Sequence, residues 1–357
     1  DSPEMHRTPG LEFHNLRRNA QRDVTFVEKA LRLLVYYVRL MWYVAVARPK
    51  LVHVLWNSKI EHFDRTLLML YYKLLRKKVA LTAHNVNSGV RDSTDSCLNR
   101  LTLKIQYRLS DHIFVHTERM ADELRESFGV PRPRVSVICH GVNTAVPQTR
   151  LTIDGAKQRL GIRPDERTIL FFGNIAPYKG LEYLLDAFEK VVAAGGDYRL
   201  IVAGREKEGC KAYVQEIRRS LDRPAIRERA IQRIEFVPDD DIELYFKAAD
   251  VSVLPYTHIF QSGVLFLGYA FGLPVIAADV GSLREDIVEG ETGFLFKPRD
   301  SVELAVAIEK YFGGSLYERL DEVRPQIREY ASQRNSWEAT ADATCEAYVR
   351  MLSGERS

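Results

Sequence analysis

Few residues of this chain have a type and spacing that could do chemistry, and they fall at the ends of apolar runs. Lys179 closes the segment GNIAPYK (Gly173–Lys179), between RTILFF (Arg167–Phe172), which reads as a strand, and a run from Gly180 to Ala194 that reads as a helix. That helix carries Leu181, Leu184, Leu185 and Phe188 on one face. A lysine just before a helix can clamp a phosphate or stand as a solvated cap, and Gly173 lets a ligand approach where a side chain would obstruct. Ser262 and Gly263 precede the hydrophobic run Val264–Phe271. A helix beginning there points the unpaired N–H groups of its first turn, with those of Ser262, Gly263 and Val264, at whatever lies beyond the preceding strand, an arrangement that suits anions. The same pair can also do no more than cap a core helix. His84 follows KVALTA (Lys78–Ala83) and is either a turn residue or a group that meets a ligand.

The elements that must position these residues alternate. Lys50–Trp56 reads as a strand and Phe63–Arg76 as a helix. Strands at Lys78–Ala83, His112–His116 and Arg134–Cys139 then enclose helices 97–109 and 118–128. Residues 143–166 are turn-rich and polar and are expected to link two domains. A second βα series follows, with strands Arg167–Phe172, Arg199–Val202 and Ile234–Val237 and a helix at 241–248. The stretch Val251–Gly293 reads as strand, loop, buried helix and strand. A short FLF strand and helices near 301–312, 316–331 and 336–352 end the chain. Alternating βα with β-branched strands implies parallel, doubly wound sheets, in which ligands gather at the carboxyl ends of strands.

Length and charge narrow the classes. At 357 residues the chain exceeds what one core usually supports, so two domains are expected. The four cysteines, Cys97, Cys139, Cys210 and Cys345, are scattered, as reduced thiols of a cytoplasmic protein would be, and they form no metal pattern. No signal peptide is visible and no apolar run reaches membrane-spanning length. Residues 1–150 hold 24 Lys and Arg against 14 Asp and Glu, whereas residues 151–357 hold 27 against 34. The basic half is aromatic-rich, in LRLLVYYVRLMWYVAV (Leu31–Val46) and RTLLMLYYKLLRKK (Arg65–Lys78). Two amphipathic helices on a sheet account for this pattern. So does a face resting on anionic lipid at the inner side of a membrane, with Tyr36, Tyr37 and Trp42 near the headgroups. No nucleic-acid motif accompanies the basic residues.

Three runs together resemble glycosyltransferase family 4, the retaining nucleotide-sugar transferases of GT-B fold. They are VHTERMADELRESFGVPRPRVSVICHGV, FFGNIAPYKGLEYLLDAF and SGVLFLGYAFGLPVIAADVGSLREDIVEGETGFLF, in the family's order and spacing. The resemblance implies two Rossmann-like domains facing a cleft: an acceptor domain over 1–145, a donor domain over 146–335, and a last helix, 336–357, crossing back to the first. It implies Gly173 and Asn174 against the donor diphosphate, Lys179 neutralising it, and the amides near Ser262, Gly263 and Val264 on the distal phosphate. His84 would lie by the transferred sugar, and the nucleobase along Phe236–Asp239, with Val237 and Pro238 in contact.

Three departures from the family pattern stand out. The two glutamates the family commonly carries are Ile259 and Leu267 here, and Gln261 could supply an amide in their place. The arginine usually paired with the lysine is Asn174, so that Arg205, after the next strand, would bring the missing charge. The first domain begins late, without the usual first strand and glycine loop. The expected donor is a UDP- or GDP-sugar bound as substrate, with no cofactor and no metal, since no Asp-x-Asp follows a strand. The expected acceptor is a glycan or lipid-linked sugar. A nucleotide-sugar-binding protein without transfer activity, and a GT-B-type epimerase, remain as alternatives.

Overall fold

The computed structural model describes residues 8–16, 25–58, 60–92, 94–139, 141 and 146–353. Its strands form two parallel sheets. The first runs β1 (Leu51–Val54), β2 (Lys78–Thr82), β3 (His112–Val115) and β4 (Val135–Val137) in that spatial order. The second contains β5 (Arg167–Phe172), β6 (Tyr198–Ala203), β7 (Ala230–Arg233), β8 (Val251–Leu254), β9 (Val275–Ala278) and β10 (Gly293–Phe296). Their order is β10-β9-β8-β5-β6-β7. The chain thus winds outward from β5 in one direction, returns, and winds outward from β8 in the other, leaving a crevice where the direction reverses.

Burial explains the composition of the strands. Every residue of β8 and β9 is buried, and helices cover both faces of the sheet, so the strands read as continuous apolar runs without alternation. One core holds Leu181, Leu184, Leu185 and Phe188 against β5, β6 and β8, and the opposite face packs Leu170, Phe172, Phe246 and Leu267 together. In the first domain, Leu81, Ile113 and Val115 pack on Met120 and Leu124 of the helix Glu118–Phe128, which Thr117 caps and Gly129 ends.

Several expectations are corrected. The strand expected at Ile234–Val237 lies four residues earlier, because the polar AIQR of β7 is an edge strand with its outer half exposed, and polarity hid it. The stretch expected as linker contains the helix Ile153–Arg159, capped by Thr152, and its residues 143–145 lie outside those described. The helix Lys211–Leu221 escaped the sequence reading, and the helix expected at 316–331 is two, Ser315–Glu318 and Leu320–Arg334. Helix Trp337–Ser353 lies against the first sheet. Ala347 and Met351 pack with Ala80 and Phe114, and the Thr340 hydroxyl donates to the Cys139 carbonyl at 3.0 Å.

Candidate active site

β5 and β8 pair only at Ile169–Val251 and Leu170–Ser252 and then part, and the segments leaving their carboxyl ends line the crevice. From β5 the chain turns at Gly173, whose φ of +110° disfavours a side chain, and a Cβ there would stand 3.3 Å from Val264 Cγ2 across the gap. It continues into a single turn, Pro177–Lys179, and reaches Gly180 with φ +63°. A Cβ on Gly180 would lie 2.0 Å from the Pro255 carbonyl oxygen, so this glycine is what lets the turn sit on the end of β8. The Thr257 N–H donates to the Tyr178 carbonyl at 2.9 Å and ties the two loops together.

This packing fixes Lys179. Its side chain is buried, which excludes the solvated cap, and its ammonium donates to the Tyr256 hydroxyl at 2.8 Å while lying 4.0 Å from the centre of the same ring. Among the described residues this is its one hydrogen bond, although an ammonium carries three donors. Desolvation, opposed in part by Tyr178 and reinforced by Arg91 and Lys207, brings its pKa down to about 8. The Tyr256 hydroxyl in turn lies 3.1 Å from Ser262 Oγ. Ser262 therefore occupies the N-cap position of helix Gly263–Ala270 without capping it: its side chain accepts no hydrogen bond from the first turn, and space is open in front of Gly263 among the described residues. A buried cation and an uncapped helix start, joined through one tyrosine, face the same crevice. From the sequence alone Tyr256, a tyrosine at the end of an apolar strand, reads as core.

The other expected donor residues lie around this centre. Asn174 and Arg205 are exposed neighbours, with Arg205 Nε 3.5 Å from Asn174 Oδ1 and the guanidinium 5.5 Å from the Phe236 ring centre. Phe236 is 60% exposed, Val237 is buried and Pro238 is exposed, so the aromatic face open to a planar ligand is Phe236. Ile259 and Leu267, at the positions of the family's two glutamates, are buried among apolar neighbours. Gln261 is half-buried and its Oε1 meets no donor among the described residues; the same holds for Nε2 of His258, three residues earlier. A buried acceptor without a donor is costly, and a sugar hydroxyl is a group that could satisfy it.

The first domain contributes His84, two residues past the end of β2. His84 Nδ1 lies 2.9 Å from His116 Nε2, and His116 Nδ1 lies 3.2 Å from the Ile138 carbonyl oxygen. A carbonyl only accepts, so with both rings neutral His116 donates from Nδ1, accepts from His84 Nδ1, and makes Nε2 the basic nitrogen of His84. Trp56 stacks on His84 at 4.0 Å and 10°. Trp56 also borders a groove of about 630 Å³ that runs beside β1, the edge strand of the first sheet, past Tyr36, Tyr43 and Leu51. The two domains meet at the loop leading to Ser262. Phe260 is buried with Leu81, Ala83 and Val86 of the first domain, and Arg119 donates to the Gly281 carbonyl at 2.9 Å.

The first domain presents a second surface. Along helix Phe26–Val46, Val27, Leu31, Leu34, Val38, Trp42 and Val46 are all more than half exposed at spacings that follow one helical face. Lys29 and Arg32 are exposed on the same helix. No helix among the described residues is long and apolar enough to cross a membrane.

Comparison with known proteins follows this division into two lobes. Residues 3–146 match the family described as Glycosyltransferase Family 4, and residues 166–313 match the one described as Glycosyl transferases group 1. The chain is 29% identical over 259 residues to D-inositol 3-phosphate glycosyltransferase 2 of Catenulispora acidiphila, an alignment covering 70% of this chain and 58% of the relative. The chain thus spans little more than half the length of that relative. Among solved structures, sucrose-phosphate synthase from Thermosynechococcus elongatus superposes with a TM-score of 0.76 at 19% identity, covering 93% of this chain and 81% of that one. Anabaena Alr3699/HepE in complex with UDP-glucose gives 0.74 at 18% identity, over 89% of this chain and 84% of that one. These likenesses establish the fold as GT-B, two Rossmann-like domains facing a cleft.

Proposed function

The chain belongs to glycosyltransferase family 4, and on that premise we propose that it moves a sugar from a nucleotide-diphosphate sugar to a lipid-linked or glycan acceptor with retention of the anomeric configuration. The observation that carries this reading is the buried Lys179 ammonium, with one hydrogen bond, next to an uncapped helix start in a crevice at the ends of β5 and β8. A diphosphate answers both needs. It supplies acceptors to the ammonium and to the free N–H groups of Gly263 and Val264.

As the anomeric bond breaks, negative charge grows on the departing diphosphate. Lys179, the amides at Ser262, Gly263 and Val264, and Arg205 beside Asn174 stabilise it in place, without reorganising during the reaction. These fixed positive groups do what a divalent cation would otherwise do, so turnover is expected to survive chelation. The acceptor hydroxyl enters on the face the diphosphate leaves, and its proton passes to a leaving phosphate oxygen. His84 orients the sugar through Nε2, and the Gln261 amide takes a sugar hydroxyl where the family's glutamates are replaced. Phe236, with Val237 and Pro238, offers the edge for the base. HepE is described with UDP-glucose, which makes UDP-sugars the first donors to try.

The exposed apolar stripe, with Arg32 beside it, supports an acceptor held at an anionic membrane surface, with the chain peripheral to it. The name of the inositol phosphate relatives supports a small phosphorylated acceptor instead. Incubation with UDP-, GDP- and ADP-sugars, reading nucleotide release with and without EDTA, tests the donor assignment. Binding without release would indicate a nucleotide-sugar binder, and interconversion of the free donor an epimerase. An inverted linkage in the NMR spectrum of the product would remove the retaining mechanism.

A further inference from the structure

Beside Lys179, three cations surround one aromatic ring. The ring centre of Tyr178 lies 5.7 Å from Lys179 Nζ, 4.9 Å from Lys207 Nζ and 5.0 Å from the Arg91 guanidinium carbon. Lys179 and Lys207 belong to the second domain and Arg91 to the first. Lys207 is held in register, because its N–H donates to the Ile175 carbonyl at 3.1 Å, which fastens the loop after β6 to the loop that carries Lys179. Arg91 ends the short turn Ser88–Arg91, seven residues after His84.

One carboxylate holds two of these cations. Asp92 accepts from Arg91 at both Nε and Nη2, each at 2.9 Å, and its Oδ1 accepts from Lys207 Nζ at 2.7 Å across the cleft. Like Asp92, neither cation is more than 28% exposed. Three cations and one anion leave the cluster short of negative charge, one of the three being the Lys179 ammonium with its single hydrogen bond among the described residues, and a half-buried excess of one sign favours an entering counter-charge.

We propose that Arg91 and Lys207 are donor-binding residues and that Asp92 stands in for the donor's diphosphate when the site is empty. This rests on the donor reading above and extends it to residues from both sides of the cleft. The entering diphosphate carries more charge and more acceptor oxygens than one carboxylate. It matches the fork of Arg91 as well as Asp92 does, and it reaches Lys179 too. Displaced, Asp92 returns to water through its exposed edge. No covalent bond changes. The exchange gives the donor a grip on the loop that bears His84, so that binding at the second domain positions the group contributed by the first.

Isothermal titration with UDP and with GDP tests the exchange, with circular dichroism and Tm recorded for each variant. Arg91→Ala and Lys207→Ala are expected to weaken nucleotide binding by about tenfold each, the loss of one charge-assisted hydrogen-bonding group. Arg91→Lys should fall between wild type and Arg91→Ala, since it keeps the charge and loses the fork. Asp92→Asn is the discriminating variant. If the trio only staples the domains together, removing the carboxylate weakens binding or leaves it unchanged; if Asp92 competes with the diphosphate, binding tightens by several-fold. Unchanged or weaker binding in folded Asp92→Asn overturns the proposal. So does wild-type affinity in Arg91→Ala and Lys207→Ala, and if Lys179→Ala is impaired in the same series the donor reading survives. Absence of UDP and GDP binding by the wild-type chain removes both together.

Discussion

The Lys179 ammonium donates at 2.8 Å to the Tyr256 hydroxyl, and this contact joins the loop after β5 to the loop after β8 beneath the candidate donor site. Because burial lowers the Lys179 pKa from 10.5 to about 8, a growing fraction of empty protein holds it neutral above that pH. A bound diphosphate favours the charged form. Nucleotide binding should therefore take up a proton above pH 8, and affinity should fall with pH by up to about tenfold per unit. In the unliganded protein the sign is opposite. Between about 8 and 10.5 the unfolded chain binds more protons at this lysine than the folded one, so this group's contribution to stability rises with pH. Titrations of UDP at pH 7, 8 and 9 check the first statement. Lys179→Arg should flatten the profile, since a guanidinium stays charged, and Lys179→Ala should reduce turnover by roughly 10²-fold or more.

Tyr256→Phe separates the hydroxyl from the ring. The cation keeps the aromatic face 4.0 Å away but loses its acceptor, and Ser262 loses the partner that keeps it from capping its own helix. The charged form of Lys179 is then less favoured, so the fall in affinity with pH should begin at lower pH than in the wild type. The stability cost should be about 1 to 2 kcal/mol, a buried hydroxyl pair removed. A pH profile identical to wild type would show that the hydroxyl does not set the state of the lysine.

The relation between His84 and His116 gives a test that a purely structural histidine would fail. His116→Gln keeps an amide able to accept from His84 Nδ1, whereas His116→Ala leaves that N–H without this partner and unfixes the ring. Turnover should fall by about tenfold in His116→Ala and recover in large part in His116→Gln, with the nucleotide affinity of both close to wild type. His84→Ala should lose about 10²-fold in turnover. Equal losses in kcat and in nucleotide affinity would place the pair outside the sugar subsite.

Strands such as RTILFF and VSVL, buried on both faces, announced themselves as apolar runs. The two turns proposed to meet the donor phosphates are therefore legible to within a residue or two. What escaped notice has a common cause, namely that contact between distant loops leaves no local pattern. Tyr256, His116 and Trp56 look like core or turn residues until the fold brings them against Lys179 and His84. Arg91, Asp92 and Lys207 carry no local sign of their pairing, because Lys207 meets Asp92 only across the cleft. The edge strand β7 was shifted because AIQR has the polarity of a loop. Helix Ile153–Arg159 reads as linker because its roughly two turns carry too few apolar residues to show a period.

The apolar stripe of helix Phe26–Val46 yields a prediction about location that does not depend on catalysis. Leu34 is 60% exposed and Trp42 69%, so replacing both by glutamate should leave the Tm within a degree or two while removing buried apolar contact with a membrane and adding repulsion. The wild-type chain should sediment with vesicles containing phosphatidylserine, and less so as salt rises. The double variant should remain in the supernatant. Equal sedimentation of the two would assign the stripe to another partner, and none for the wild type would end the membrane assignment.

The buried pair Lys157–Asp250 predicts a loss of stability that spares the site. Lys157 lies in the helix between the two sheets and Asp250 immediately precedes β8, with a 3.1 Å contact between them at 4% and 6% side-chain exposure. The same Asp250 oxygen accepts from the Thr168 N–H of β5 at 2.8 Å, so one carboxylate binds the connecting helix to both strands that flank the crevice. Asp250→Asn takes the carboxylate from a buried ammonium and should cost about 3 to 5 kcal/mol. Lys157→Met alone strands the carboxylate and should cost a similar amount. The double variant Lys157→Met, Asp250→Asn, with neither charge of this pair left and only Arg324 still charged beside it, should recover part of either loss. Urea unfolding of the four proteins, with unchanged m-values, measures the coupling between the two residues directly. Nucleotide affinity of the double variant at 10 °C should match wild type, since neither residue touches Lys179 or the start of helix Gly263–Ala270. Additive losses would mean that the two charges are each satisfied by backbone carbonyls and amides, as the Lys157 contacts to the Pro164 and Glu166 carbonyls already make geometrically available.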